Sequence, residues 1–472
     1  MKLSSTALHC LPGLPAGAEI GLMLKDKKAG QSLRNGKEGT DGADSENTRQ
    51  GDRSRLADNV ISLYVLQGLN YLIPIAVLPY LVRVLGLDMY GLMAFAQSFA
   101  QYFTILTDYG FGFSATRDIA RQRDDNEAIS RIFCSVLTIK LALLLLGAVV
   151  AGIVIAVVPR FHHNAPFFLA AYLAVVGNTL FPVWYFQGIE RMRYISVVIG
   201  ISKLAAAIAL FAFVHRPQDA LLAITIQSLG TLVGGAIGFV LAFGRFHIQV
   251  RLPRRQDLRT ALVEGWHLFI STAAVSLYAN TNVFLVGLIA GNIEAGYFSA
   301  ADKLIRAMQG LTVPVAQAVF PHVNQLVSQS RERALRFTRE MLKWIGAITL
   351  LPSALMLIFA RQIATLAFGH AAIGSTPVLR WIAFLPFVIA LSNIFGVQTM
   401  IPFGLDVQFS RILILAGVFN IILAVPLIHI FGAAGAGMSV LATEVSVTFA
   451  MFVLLERQGI HVFNSREVDA QS

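Results

Sequence analysis

Long apolar segments dominate this chain, and they constrain its fold more than any other feature. Between Asn59 and Glu456 they follow one another at lengths of about 17–25 residues, enough for a helix to cross a ~30 Å hydrocarbon core. A soluble protein breaks such segments after about 10–14 residues. The sequence therefore predicts an all-α integral membrane protein with about twelve transmembrane helices.

The composition supports this class and removes several others. Of the 472 residues, 56% are hydrophobic and only 14% are charged. Cys10 and Cys134 have neither metal-ligand nor disulfide spacing, and we find no catalytic triad, phosphate-binding loop or dinucleotide fingerprint. We predict a protein that is not an enzyme and that needs no cofactor.

The predicted spans pair as hairpins, and the remaining segments are tails. The segment 1–57 is rich in Gly, Ser and charged residues, and we expect a disordered cytoplasmic tail there. Residues 58–262 and 263–456 form two predicted six-helix lobes, and residues 457–472 form a second cytoplasmic tail. The predicted spans cover residues 59–82, 88–108, 133–158, 165–187, 194–214, 219–243, 265–290, 296–321, 344–368, 377–402, 409–430 and 434–456.

The positions of Lys and Arg predict the orientation. One set of alternate loops is rich in Arg, including the loop from Arg245 to Arg259, whereas the other set holds little more than Arg83, Arg160, Arg216 and Arg361. Because cytoplasmic loops retain positive charge, the first set and both termini are predicted to be cytoplasmic. Most of the formal net charge of +10 is thus topological, and nucleic acid is not an expected partner.

An internal sequence repeat suggests two related halves. Gly86, Gly91 and Ala96 recur as Gly291, Gly296 and Ala301 at one constant separation (296 − 91 = 205). We predict that the two segments occupy equivalent positions, with a cavity between the halves.

Basic residues occur at unexpected depth in the predicted spans. Counting helical rise places Lys140, Lys203 and Arg306 roughly 12–15 Å from a membrane boundary, and Lys303 lies beside Arg306. Such charges persist when they face water or a partner, so we predict that these four residues line a basic cavity and bind an anionic substrate. For the two isolated lysines, the alternative is that they extend toward the cytoplasmic interface.

Two acids share this predicted layer. Asp302 precedes Arg306 by four residues, a spacing that equally suits a structural ion pair. Glu444 lies near the midplane of the last span, where it is a candidate proton or cation site or else a partner for a cavity lysine. Both are therefore candidates for ion coupling or for charge pairing.

The remaining polar features have ordinary explanations. We expect Thr116 to Arg131 to form a short amphipathic helix on the membrane surface, and Asp108 to cap or anchor the preceding turn. Most polar span residues are expected to bridge helices. These are Asn70, Gln97, Gln101, Asn280, Asn282, Asn393, Gln398 and Asn420.

Four stretches resemble one family, the polysaccharide flippases of the Wzx (O-antigen translocase) type in the MOP exporter superfamily. The most specific is the hairpin from Pro182 to Glu190, with the sequence PVWYFQGIE. The others are Asn70-Tyr71-Leu72 with Leu78-Pro79-Tyr80-Leu81, Asp108-Tyr109-Gly110-Phe111 leading to Ser114-Ala115-Thr116-Arg117, and the run from Tyr297 to Arg306.

The resemblance implies a V of two six-helix lobes that exposes a substrate site to each side of the membrane in turn. It implies transport of an oligosaccharide repeat linked to undecaprenyl diphosphate, from the inner to the outer leaflet of the cell inner membrane, for O-antigen or exopolysaccharide biosynthesis. Membrane lipids, a polysaccharide polymerase and a chain-length regulator are the other expected partners, and coupling to H⁺ or Na⁺ is expected. A diphosphate suits a basic cavity.

Two rival functions remain open. A drug or cation antiporter of the related MATE type would share the architecture, but it would favour a cavity rich in carboxylates. A membrane-bound polysaccharide polymerase would need acidic catalytic residues in a sizeable outer loop, and the predicted outer loops are short.

Overall fold

The computed structural model describes residues 42–246, 248–310 and 312–463, with side chains from Ile73 onward apart from scattered positions. Within these ranges the chain is mostly helical and contains no strand. The first helices are α1 (Gly42–Asp108), α2 (Phe111–Arg121), α3 (Asn126–Val157), α4 (Pro159–His163), α5 (Ala165–Leu180), α6 (Val183–Gly188), α7 (Met192–Phe213), α8 (Ala220–Gly244) and α9 (Arg255–Ile289). Then follow α10 (Asn292–Gly310), α11 (Val313–Gln329), α12 (Arg331–Ile358), α13 (Ala360–Phe368), α14 (Thr376–Ile382), α15 (Leu385–Phe395) and α16 (Asp406–Arg457).

Short tight turns connect some of these helices. Pro217–Asp219 and His370–Ser375 are 3₁₀ helices, and Gly396–Met400 is a π-helical turn that extends α15. Of the predicted disordered tail, the part before Gly42 lies outside the described residues, whereas α1 already includes its last part.

Glycines break the two longest helices. Gly86 interrupts α1 with a φ of 74°, and Gly432 interrupts α16 with a φ of 58°. A Cβ added at Gly435 would collide with the backbone carbonyl of Leu427, so the chain folds back on itself at Gly432. These breaks lie where the sequence analysis placed hairpins between successive spans.

Eight helical stretches of the described chain are long and apolar enough to cross a membrane. One of them, Asp406–Arg457, has 52 residues. A straight helix of that length would be roughly 80 Å long, more than twice a ~30 Å hydrocarbon core, so this stretch holds more than one span. The all-α membrane fold is therefore confirmed, while the count of twelve stays a prediction.

The exposed surface of the long helices is apolar. Along α3, Leu145, Val149, Ile153 and Val157 form a stripe with exposed fractions of 68%, 60%, 57% and 72%. Residues four apart lie on one helical face, and a soluble protein would bury such a face. This exposed apolar face is therefore expected to contact the hydrocarbon core of a membrane.

Small residues let helices approach closely in the interior. A Cβ at Gly177 of α5 would lie 2.6 Å from the backbone of Thr231 in α8, and one at Gly235 would collide with the carbonyl of Gly177. Close backbone approach through glycine is the usual way in which membrane helices pack without a hydrophobic driving force.

The described residues form two compact units, one ending at Gly296 and the other beginning at Tyr297. In the first unit, α9 packs along the second half of α1, where the rings of Tyr109 and Phe269 stack with centroids 4.9 Å apart. By contact, α9 thus belongs with the first unit, although the sequence analysis assigned most of it to the second lobe. The lobe boundary between residues 262 and 263 stays a prediction.

In each predicted lobe, the non-helical segment that follows the last predicted span is held by the helix that contains the third predicted span. In the first unit, the Cys134 thiol of α3 donates to the Gln249 carbonyl at 3.6 Å. In the second, Arg339 of α12 donates to the Val462 carbonyl at 2.7 Å and to the His461 carbonyl at 3.3 Å. Cys134 and Arg339 are related by the separation of the predicted repeat, so the structure supports two related halves.

Two sequence expectations are wrong in detail. The stretch from Thr116 to Arg131 is not one helix, because α2 ends at Arg121 and Asp125 caps α3 by accepting hydrogen bonds from the amides of Glu127 and Ala128. The predicted span 296–321 is also not one helix, because α10 ends at Gly310 and α11 begins at Val313. Both breaks follow from local capping and turn geometry, which apolar spacing does not report.

Candidate functional site

Among the described residues of the first unit, Lys140 has the most buried charged side chain. Its side chain is only 3% exposed, and its Nζ lies 3.0 Å from Oδ1 of Asp108, whose side chain is 58% exposed. Asp108 is the last residue of α1, and no side chain caps α2 across the turn that follows. Asp108 is therefore an ion-pair partner of Lys140 and does not serve as the predicted cap.

This pair changes the estimate of depth for Lys140. The predicted depth counts helical rise from residue 133, but α3 begins at Asn126 and passes Asp108 at the end of the second predicted span. The ammonium group thus lies level with the end of α1. Its burial comes from protein around it, and its charge is compensated by an acid that the sequence analysis did not count.

Lys203 occupies a different environment on α7. It is exposed, as are the neighbouring Ile201 and Leu204 at 61% and 50%, whereas Ser202 is buried against α8. In a membrane protein an exposed position on an apolar helix faces lipid or a water-filled space. The cavity-lining role predicted for Lys203 and the snorkelling alternative therefore both stay open.

The charges of α10 lie in the second unit. Arg306 Nε lies 2.6 Å from Asp302 Oδ2, with the Arg306 side chain 46% exposed and that of Asp302 17% exposed. Ala301 and Ile305, each one residue before a member of the pair, are fully buried, so the pair lies at the edge of the buried face of the helix. Lys303 is half-buried beside them. The predicted ion pair at this spacing is present.

Glu444 is half-buried in α16, one residue after the fully buried Thr443. The Thr443 hydroxyl accepts a hydrogen bond from the Asn420 amide at 3.2 Å. Gln398 likewise donates to the Ala316 carbonyl at 2.9 Å, and Gln97 donates to Gln227 at 2.8 Å. These bridges confirm the expected role for three of the polar span residues, while the side chain of Asn70 lies outside the described residues.

The candidate residues thus fall into two groups. Lys140 and Lys203 belong to the first unit, and Asp302, Lys303, Arg306 and Glu444 belong to the second. Within the units, the structure joins Asp302 to Arg306 and joins Lys140 to Asp108. The described part of the chain contains no cluster of His, Cys, Asp and Glu that could hold a metal ion.

Two of the stretches that carry the family resemblance, the hairpin from Pro182 to Glu190 and the one that ends at Arg117, pack against each other in the first unit. The Thr116 hydroxyl donates to the Trp184 carbonyl at 3.1 Å, and a Cβ at Gly188 would lie 2.7 Å from the side chain of Ile119. Arg123 and Glu190 form an ion pair at 2.6 Å. The hairpin from Pro182 to Glu190 therefore serves to dock α2, which fixes the end of α1 and with it Asp108.

Comparison with known proteins assigns the family. Residues 56–327 match the family model described as polysaccharide biosynthesis protein. The chain is 33% identical over 407 residues to a protein of Escherichia coli (strain K12) named "Putative O-antigen transporter", with 86% of this chain and 98% of that protein covered. A protein of Shigella dysenteriae with the same name is 31% identical over 393 residues, which cover 83% of this chain and 98% of that protein.

Solved structures define the fold. An inward-facing multidrug resistance transporter of the MATE family in the MOP superfamily has a TM-score of 0.61 at 15% identity, with 86% of this chain and 99% of that chain covered. The lipid II flippase MurJ in an inward closed conformation also has a TM-score of 0.61, at 12% identity, with 84% and 87% covered. The chain is therefore a transporter, not an enzyme, with the fold of the MOP superfamily, and it belongs to the polysaccharide biosynthesis protein family.

Proposed function

We propose that this protein moves an oligosaccharide repeat linked to undecaprenyl diphosphate from the inner to the outer leaflet of the cell inner membrane. The observation that carries the proposal is the 33% identity to the "Putative O-antigen transporter" of Escherichia coli (strain K12) across 98% of that protein. Identity over the full length of a relative favours the same class of cargo. The product would be O-antigen or exopolysaccharide.

The charges in the helices support an anionic cargo. A diphosphate carries several negative charges, and Lys and Arg are its natural partners because their hydrogen bonds are charge-assisted. The Arg306 side chain is paired with Asp302 and is 46% exposed, so a phosphate can approach it. We infer that Lys140, Lys203, Lys303 and Arg306 bind the diphosphate and that Asp302 and Glu444 serve coupling to H⁺ or Na⁺.

A drug or cation antiporter is the second candidate, because the MATE transporter shares the fold. Its cargo would need free carboxylates. Here Asp302 is bonded to Arg306 and Asp108 to Lys140, so two of the acids nearest the candidate site already compensate a cation. The charge pattern favours the anionic cargo.

Deletion in the native host tests the proposed function. We expect the complete diphosphate-linked repeat unit to accumulate on the cytoplasmic side, because its synthesis continues while its exit stops. Extraction and mass analysis of the lipid-linked intermediates would show it, and complementation with the intact chain should clear it. An incomplete repeat unit would instead indicate a role in synthesis, and unchanged intermediates with normal polymer would contradict the proposal.

The proposed direction of transport requires a defined topology, with both termini and the loop from Arg245 to Arg259 in the cytoplasm. A cysteine at Asn164, between α4 and α5, is expected to react with a membrane-impermeant maleimide in intact spheroplasts. A cysteine at the exposed Gln256 should react only after the membrane is opened. The reverse labelling pattern would overturn the orientation.

A further inference from the structure

The repeated glycine segments meet each other in the first unit. A Cβ at Gly91 would collide with the carbonyl of Asn292 and lie 2.7 Å from the amide of Gly296. A Cβ at Gly296 would collide in turn with the carbonyl of Leu87. Leu87 and Asn292 have the same separation in sequence as Gly91 and Gly296, so the contact is reciprocal. In each repeat, the glycine lies against the carbonyl at the equivalent position of the other repeat.

The glycines that flank this crossing have a different role. Gly86 and Gly291 have φ values of 74° and 103°, and a Cβ at either would meet no atom within 4 Å. Space therefore does not require glycine there, whereas the left-handed backbone does. Each crossing helix begins at a position where the backbone can turn without a steric barrier, as hinges do.

A cationic side chain binds the C-terminal end of α9, next to the glycine crossing. Arg160 of α4 donates to the carbonyl of Leu288 at 2.9 Å, and its guanidinium carbon lies 5.3 Å from the centre of the Phe95 ring. Leu288 is in the last turn of α9, where free carbonyls and the helix dipole attract positive charge. Phe284 adds an aromatic contact to Phe95 with centroids 5.4 Å apart.

We propose that the crossing of residues 87–96 with residues 287–296, held by Arg160, is a latch that closes the outer end of the transport path. This proposal takes the identity of the transported substance from the proposed function. It takes the assignment of the outer side from the predicted topology. Backbones that touch through glycine can separate and meet again with few side chains to repack, Phe95 and Phe284 among them. The contacts made by Arg160 are electrostatic and equally reversible.

The test uses alanine, because Ala raises helix propensity and a single methyl is enough to collide with the opposing backbone. The reporter is Thr281→Cys with Cys10→Ser and Cys134→Ser. Thr281 is 6% exposed and lies about 15 Å below Gly291 along the helix. Its reaction with a membrane-impermeant maleimide is measured in spheroplasts that contain the full chain.

We expect Gly91→Ala with Gly296→Ala to raise the labelling rate of the reporter roughly five-fold or more, because overpacking shifts the population toward the open latch. Gly152→Ala is the matched control: its site on α3 is open, and the rate should not change. Arg160→Ala should also raise the rate, and Arg160→Lys should restore part of the protection.

Labelling of the double glycine variant at the parent rate, with the parent amount in the membrane, would overturn the latch. If that variant is not inserted, the comparison of Arg160→Ala with Arg160→Lys decides, and equal parental rates would overturn it. The readout does not require export. A deletion strain with normal lipid-linked intermediates would therefore refute the proposed function while leaving the labelling result intact.

Discussion

Asp108→Asn is expected to destabilise the protein far more than Lys140→Met, although the two residues form one ion pair. The Lys140 ammonium is buried, and the Asp108 carboxylate is largely exposed. Removing the acid leaves a buried cation without compensation, which costs on the order of 3 kcal/mol. Removing the base leaves an exposed acid and an apolar side chain of similar length in a protein interior. The melting temperature in detergent, followed by tryptophan fluorescence, measures both variants.

The double variant Asp108→Asn with Lys140→Met supplies the control. It should recover most of the stability that Asp108→Asn loses, because the buried charge is then absent. Equal destabilisation by the two single variants would show that Lys140 is not held by Asp108. Polymer export distinguishes a role of Lys140 in substrate binding from a purely structural role. Loss of export in a stable Lys140→Met protein supports contact with the substrate. Normal export would show that Lys140 only anchors α1.

Arg306→Ala is expected to reduce polymer export roughly ten-fold or more, because one charge-assisted contact to the diphosphate is lost. Protein level should remain normal, since the Arg306 side chain is 46% exposed and water can take its place beside Asp302. Lys203→Ala should have a similar effect and Lys203→Arg a milder one. The amount of surface polymer relative to protein in the membrane is the measurement.

Removing both members of the α10 pair distinguishes the two roles of Arg306. If the arginine only neutralises Asp302, and Asp302 does not serve ion coupling, then Asp302→Ala with Arg306→Ala should restore export. The proposed contact with phosphate predicts that the double variant remains as defective as Arg306→Ala. Full export by Lys203→Ala would show that Lys203 extends to the interface instead of binding substrate.

The sequence was informative where a local pattern decides the structure. Apolar length predicts the all-helical membrane fold, and the spacing of Asp302 and Arg306 predicts the ion pair found at 2.6 Å. The repeat read from Gly91 and Gly296 also agrees with the structure, because both glycines serve the same close approach of backbones.

The pair of Lys140 with Asp108 could not be predicted in this way. The two residues are separated by a turn, by α2 and by the start of α3, so no helical spacing relates them. The packing of α2 against the hairpin from Pro182 to Glu190 and the stacking of Tyr109 on Phe269 fix the position of Asp108. The depth predicted for Lys140 was counted from residue 133, whereas α3 begins at Asn126, so that depth stays a prediction.

The most direct test of the central claim is movement of the cargo itself. The purified protein is placed in liposomes whose inner leaflet alone carries a labelled oligosaccharide on undecaprenyl diphosphate, and an enzyme added outside cleaves the sugar that emerges. The proposed function predicts faster cleavage with the intact chain than with protein-free liposomes or with Arg306→Ala. Equal cleavage in all three, with correctly inserted protein and an imposed H⁺ or Na⁺ gradient, would contradict it.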